Sequence, residues 1–261
     1  MHKQVFTNFL ANKNLFAFVY INLSGLAVIY FLLTSSFNPQ YLWITALAFI
    51  MFKGIGIEAG NHRLLSHRSY KTSRPIKIIL LLIAALSGSG SPIVWAGLHR
   101  VNHHKNADKD NDIHSPVHGF WHSYVLWMFK TNKKDVNLKS IVDLLRDKDV
   151  VFFHRYSTNI FWITNLILFF LDPQLLVFGL ILPAFITFHS YCLQTSILHI
   201  PKFGYKNFDT KDHSINCPWI FPLAWGEAWH NNHHAHPGKL SLQEKWWEID
   251  PAYWFITLVK E

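Results

Sequence analysis

The sequence is short of charge. Lys, Arg, Asp and Glu together make up 15% of its 261 residues, while half of the chain is hydrophobic; a typical soluble domain carries roughly 25% charged residues. That balance excludes an ordinary water-soluble protein and fits one embedded in a membrane. Cysteine is scarcer still. Cys192 lies in an apolar run and Cys217 in a polar stretch, which excludes a disulfide framework and any Cys-x-x-Cys pair and favours a reduced, cytoplasm-facing protein. The net charge is +8, but the cations are interrupted by apolar runs and form no stripe for nucleic acid. There is no internal repeat, low-complexity tract or linker, so residues 1–261 read as a single domain. Lys3 and Lys13 precede an apolar run with no small-residue cleavage site, too long for the core of a signal peptide, and the first helix is expected to remain as a signal anchor.

What the chain has is long apolar segments, at 15–33, 41–57, 76–98, 157–171 and 174–198, judged against the roughly 20 residues a helix needs to span a bilayer. Segment 76–98 is broken by Ser87-Gly88-Ser89-Gly90-Ser91-Pro92 and is expected to form a re-entrant or interfacial helix pair that returns to its starting side. Four spanning helices remain, with both termini on one side. Lys3, Lys13, the Arg63 to Lys77 stretch and the 99–156 region put the cations on that side, whereas the loops Thr34 to Gln40 and Asp172-Pro173 have no Lys or Arg; the positive-inside rule makes it the cytoplasmic face. Trp246-Trp247 and Tyr253-Trp254-Phe255 suit a tail lying at the lipid interface.

Just beyond these apolar stretches stand three histidine clusters: His62-Arg-Leu-Leu-Ser-His67, His99-Arg-Val-Asn-His103-His104 and His230-Asn-Asn-His233-His234. On an ideal helix His230, His233 and His234 fall within about 100° of one another, so all three rings can share one face and one ion. His99 and His103 stack four apart, leaving His104 roughly 100° further round for a second ion. His62 and His67, five apart, lie about 140° from each other, which predicts that the helix ends or distorts between them. Eight imidazoles exceed the four ligands at which sites such as those of zinc usually close, so two metal ions are expected. His2, His154, His189 and His213 read as interfacial or hydrogen-bonded side chains. His114, His118 and His122, in an Asp-rich loop, are expected to bond locally, and His236-Pro237-Gly238 reads as a turn. Arg63, Arg68, Lys71, Arg74 and Lys77 form an acid-free basic stretch that could hold the phosphates of a carrier or of lipid headgroups.

These motifs are similar to those of the integral-membrane fatty acid desaturase family, closest to its acyl-CoA Δ9 branch. The resemblance rests on Gly60-Asn-His-Arg-Leu-Leu-Ser-His-Arg-Ser-Tyr, the second cluster with Asp108-Lys-Asp-Asn-Asp-Ile-His-Ser-Pro behind it, Glu227-Ala-Trp-His-Asn-Asn-His-His-Ala-His-Pro-Gly and Trp246-Trp-Glu-Ile-Asp-Pro. It runs nearly from residue 41 to the end. It implies an all-α membrane protein, with four transmembrane helices under a cytosolic helical cap that holds two iron ions. It further implies oxygen-dependent insertion of a cis double bond into an acyl chain carried on CoA, acyl carrier protein or lipid. It adds His199 as a ninth metal ligand, since Thr195-Ser-Ile-Leu-His199 matches the family's Asn-Ser-x-x-His. Two departures stand out: Thr195 replaces that asparagine, and three residues separate His99 from His103 where the branch usually has two.

Because O2 reduction requires two further electrons and no redox domain is present, a separate donor of the ferredoxin or cytochrome b5 type is expected, steered by the basic face. The same clusters serve membrane hydroxylases, so a fatty acyl hydroxylase is the alternative chemistry. A non-catalytic metal-binding or transport protein would need ionisable groups inside the spans, where only Lys53, Glu58 and His189 occur.

Overall fold

The computed structural model describes residues 13–131 and 135–261; His2 and Lys3 lie outside them. Backbone polar groups inside a bilayer must be satisfied within their own segment, and the apolar runs accordingly become helices: α1 (Lys13–Thr34), α2 (Tyr41–Ser66), α3 (Arg74–Leu86), α4 (Pro92–Gly97), α5 (Lys148–Leu171), α6 (Pro173–Ile197), α7 (His230–Ala235) and α8 (Pro251–Val259). Short helical turns and loops join them, and among the described residues β-pairing is limited to isolated bridges such as Tyr205 with Asn216.

Three helices among the described residues are long and apolar enough to cross a membrane: Phe16–Thr34 within α1, α2 and α6. The expected four are therefore reduced to three on this criterion. The fourth, α5, has 24 residues, but His154, Arg155, Asn159 and Asn165 dilute its apolar content. One of these is put to use: Asn165 is buried and accepts the Tyr20 hydroxyl of α1 at 2.8 Å. The 76–98 run is broken as its glycines predict. α3 has 13 residues, too few to span, and the turn before α4 places Gly88 at φ 75° and Gly90 at φ 76°, a region that side-chain-bearing residues rarely adopt.

Inside the bundle, Ile21 (α1), Phe52 (α2), Phe161 (α5) and Phe178, Leu182 and Ala184 (α6) form one buried cluster. A second, with Leu65, Leu81, Ile93, Ile141 and Phe153, ties the end of α2 to α3, α4 and the start of α5. Leu23, Leu33, Trp43, Ile167 and Phe170 are left exposed on the outer helix faces, as side chains that face lipid would be. Beyond α6, a third cluster with Leu198, Ile215, Trp229 and Leu242 fixes the polar part of the chain against the helix ends. α8 lies on α2 and α3 through Ile256, which packs with Ala59 and Leu80.

Candidate metal centre

The histidines are brought together by an unusual local backbone. From Ile50 to Ser66, α2 is wound with i→i+5 hydrogen bonds, and the His67 N–H continues the pattern to the His62 carbonyl at 3.0 Å. Residues five apart then come one above the other, and the two imidazole Nε2 atoms lie 3.0 Å apart. The expected distortion is present. The same winding over Leu98–His103, with His104 N–H bonded to the His99 carbonyl, changes the second cluster. His99 pairs with His104, Nε2 to Nε2 at 3.0 Å, and His103 turns away. An ideal α-helix would have stacked His99 on His103; the wider turn reverses that order.

The third cluster also divides. His233 joins one group and His230 and His234 the other, so the single shared face expected for all three is not what forms. The result is two pockets: His62, His67, His99, His104 and His233 in one, His103, His199, His230 and His234 in the other. In the first, Nε2 atoms approach at 2.8–3.2 Å, as for His67 with His99 and His62 with His233. In the second, His230 meets His199 and His234 meets His103, each at 3.1 Å. A neutral ring nitrogen offers either one N–H or one lone pair. Five of them converging on a point cannot satisfy one another by hydrogen bonding, whereas one cation satisfies all five. The donor set therefore fits a metal ion in each pocket.

Burial keeps the rings in the form a metal requires. It is the main cause that holds His67, His99, His104 and His233 well below the ordinary imidazole range and His103 likewise, while His230 is lowered to about 3. His199 goes the other way: burial is the largest single effect and lowers it, but the hydrogen bond to Asp108 at 2.9 Å together with the charges of Asp108, Asp112 and Asp212 raises it overall.

Several residues around the rings escaped the sequence reading. Nδ1 of His234 meets Asp212 at 2.9 Å, Nδ1 of His103 meets Asp112 at 3.3 Å, and Nδ1 of His62 faces Glu227 at 3.0 Å and Glu58 at 3.3 Å. Glu58 stands four residues before His62 and Glu227 three before His230, helical spacings that could have flagged them. Asp212 has no such signal, being distant in sequence from the ring it holds. A narrow cavity runs beside the pockets, lined by Glu58, Trp95, Tyr191, Thr195 and histidines of both. Thr195 turns its hydroxyl proton to the backbone carbonyls of Ser123 and Cys192.

The remaining histidines lie elsewhere. His154 bonds Ser91, His189 bonds Tyr124, His118 and His122 reach nearby carbonyl oxygens, and His213 is exposed. His114 alone departs from the local-bonding expectation, being buried against the His103 ring. His236 lies in a turn closed by the Lys239 N–H.

A family model described as fatty acid desaturase matches residues 37–254. The chain belongs to the fatty acid desaturase family. An sn-1 stearoyl-lipid 9-desaturase from Anabaena variabilis is 34% identical over 87% of the chain and 83% of that protein. An sn-2 palmitoyl-lipid 9-desaturase from Nostoc sp. (strain 36) is 36% identical over 80% of the chain and 75% of its own length. An acyl-CoA 5-desaturase from Anemone leveillei is 29% identical over 92% and 75%. The chain is thus a fatty acyl desaturase, an oxidoreductase, and the Δ9 resemblance holds.

The structure of this desaturase also explains residues that carry the resemblance without touching a pocket. Asn231 accepts the backbone N–H groups of Asn207 and Phe208, each at 2.8 Å, and Asn232 bonds Asn207, Asn216 and Glu248, so the two asparagines between the histidines tie α7 to the segments around it. Asp250 of Trp246-Trp-Glu-Ile-Asp-Pro caps α8 through the Tyr253 N–H and takes a bidentate pair from Arg63 at 2.8 and 2.9 Å. A Cβ on Gly226 would lie 2.3 Å from that carboxylate, which is why no larger residue fits there.

Proposed function

We propose that this desaturase holds two iron ions, bound by His62, His67, His99, His104 and His233 in one pocket and by His103, His199, His230 and His234 in the other. With O2 it inserts a cis double bond into an acyl chain carried on a membrane lipid. The observation that carries this reading is the convergence of nine imidazoles into two pockets beside one cavity. When bound, the iron pair supplies the activation of O2 that removes hydrogen from an unactivated methylene, which no side-chain base can do. The protein's own residues do the rest. Buried, neutral rings hold the ions; Trp95, stacked on His99 at 5.0 Å, and Tyr191 narrow the cavity; and placement of one pair of carbons against the pockets decides which bond is oxidised. Each turnover reduces O2 to two waters with two hydrogens from the acyl chain, two protons and two electrons, so a separate ferredoxin or cytochrome b5 type donor is required.

Topology supports a fourth crossing. α2 and α6 both end at the histidines, and α6 starts from the opposite side, so the chain between His104 and Pro173 has to traverse the bilayer. α5, at 24 residues, reaches about 36 Å at 1.5 Å per residue. The histidine side, rich in Lys and Arg, then faces the cytoplasm, with the polar segments after α6 and α4 forming a cap.

A lipid carrier is favoured by the fate of the basic stretch. Arg63 is buried on Asp250, Arg68 pairs with Asp143 at 2.7 Å, Arg74 with Asp149 at 2.9 Å, and Lys77 with Asp147 and Asp149 at 2.5 and 3.1 Å. Four of the five cations that could have gripped the phosphates of a soluble carrier are thus already matched, and the fifth, Lys71, is exposed.

The test is gas chromatography with mass spectrometry of total fatty acids from a host that expresses the chain, beside the His233→Ala variant. A new mono-unsaturated species absent from the variant is expected, esterified in glycerolipid at the earliest labelling times. Hydroxylated acids in its place would give the reaction to the alternative chemistry, and first appearance in acyl-CoA would reassign the carrier.

A further inference from the structure

The two pockets differ in what stands behind their rings. In the four-histidine pocket every ring has a carboxylate on its Nδ1 side: Asp108 at 2.9 Å from His199, Asp212 at 2.9 Å from His234, Asp112 at 3.3 Å from His103 and Glu227 at 3.6 Å from His230. In the five-histidine pocket, among the described residues, only His62 has carboxylates on that side, Glu58 and Glu227, and Glu227 is shared with the other pocket.

The carboxylates differ too. Asp108 is held by the His213 N–H at 2.7 Å and the Ser115 hydroxyl at 2.9 Å, and Asp212 by the Ser214 N–H and the Thr210 hydroxyl, both at 3.0 Å. Among the described residues no Lys or Arg forms an ion pair with the carboxylate of Asp108, Asp112 or Asp212, Lys206 reaching only the Asp212 backbone carbonyl at 2.6 Å. The glutamates at His62 are instead matched by cations, Glu58 by Lys53 and Glu227 by Arg63 at 3.7 Å. One pocket thus stands in an uncompensated negative surround, and the other in a nearly balanced one.

A carboxylate behind an imidazole fixes the tautomer that presents Nε2 and raises its basicity; loss of one such partner typically costs about 10–100-fold in metal affinity. Three uncompensated partners act on the four-histidine pocket, against one additional ring in the other. We propose that the four-histidine pocket takes the first metal ion and releases it last, and that the five-histidine pocket is the exchangeable one. The inference rests on the reading of both pockets as metal sites.

The experiment uses the metal-free full chain in detergent and follows uptake of cobalt(II), as the probe metal, by anaerobic equilibrium dialysis. Two equivalents are expected, the first bound at least about 10-fold more tightly than the second. The tight equivalent should survive in His67→Ala and vanish in His199→Ala. Asp212→Asn, which keeps the size of the side chain and removes its charge, should weaken the tight equivalent by about 10–100-fold and leave the weaker one unchanged. Two equivalents of equal affinity, a tight equivalent lost in His67→Ala, or an Asp212→Asn variant that binds as the parent does would each overturn the proposal. Failure of the parent chain to bind cobalt at all would instead overturn the metal-centre reading beneath it. Circular dichroism of each variant separates loss of a pocket from loss of the fold.

Discussion

Two pockets built from one residue type are held in two different ways. The five-histidine pocket is fixed by helix geometry and ring packing. His62 and His67 come from the end of α2, His99 and His104 from the wide turn after α4, and the rings meet edge to face at 4.5–4.9 Å between centroids, as His67 does with His104 and with His99. The four-histidine pocket is fixed by hydrogen bonds that its rings give to loop carboxylates, Asp108, Asp112 and Asp212. The difference teaches that coordination number and outer support are separate properties of a site. A substitution can remove one and leave the other.

The largest effect comes from removing a ring. If the proposed pair of ions carries the reaction, His103→Ala and His233→Ala should both abolish desaturation while membrane insertion persists. They should differ in metal content: each keeps one equivalent, from opposite pockets, as read by iron analysis of the purified variants. Loss of both equivalents in both variants would mean that the pockets do not fill separately, and the comparison would break there. His154→Ala, which removes a hydrogen bond to Ser91 outside both pockets, should leave both the activity and the iron in place.

A smaller effect is expected from the outer support. Asp108→Asn removes the charge behind His199 and should lower iron affinity by about 10–100-fold with the helix content unchanged. Trp95→Leu, which takes away the ring stacked on His99, should act on the other pocket alone. Iron retention during stepwise chelation distinguishes the two: Asp108→Asn should lose its metal from the four-histidine pocket, Trp95→Leu from the five-histidine one.

How much of this was legible in the sequence depends on what made each feature. The spans of α1, α2 and α6 follow from apolar length alone, and the break before α4 follows from its glycines. The nine histidines stand out as motifs, but their division between two pockets does not. It depends on i→i+5 winding at α2 and at Leu98–His103, which no residue pattern announces, since His99 and His103 at a spacing of four suit an ordinary helix. Asp212 was invisible because its partner His234 is reached only through the tertiary fold. α5 was read as a span from its apolar second half, whereas His154 and Arg155 in the first half belong to the region beside α3 and α4. The basic stretch looks available for phosphates because the partners of Arg68, Arg74 and Lys77, namely Asp143, Asp147 and Asp149, lie on a segment far along the chain.

Acid sharpens the contrast in a graded way. Because His67, His99, His104 and His233 are pushed well below the ordinary range by burial, the unfolded chain takes up protons first, near pH 6.5. Stability of the metal-free protein is therefore present above that pH and falls as the pH drops below it, by about 1.4 kcal/mol per pH unit for each such ring. His199, raised by surrounding carboxylates led by Asp108 against the effect of burial, has the opposite sign and a different window: its contribution is complete below about pH 6.5 and is lost as the pH rises above it. Thermal melting of the metal-free chain between pH 5 and 8 should show a midpoint that declines with acid, and the decline should steepen in Asp108→Asn. A midpoint that does not change from pH 7 to 5 would mean that His67, His99, His104 and His233 are solvated, and that packing does not hold their pocket.

The smallest expected effect lies outside both pockets. Arg74 is exposed and makes a bidentate pair with Asp149, with Nε to Oδ2 at 3.0 Å and Nη2 to Oδ1 at 2.9 Å. Surface ion pairs of this kind add little to stability, because solvent screens them and ordering two side chains costs entropy. Arg74→Ala should therefore leave the melting midpoint, the metal content and the turnover on lipid-held acyl chains close to those of the parent. A loss of turnover confined to acyl-CoA, at unchanged iron content, would show that the guanidinium leaves Asp149 to grip a phosphate. The basic stretch would then be a carrier site, and the charge balance that favours a lipid carrier would not hold in the working enzyme.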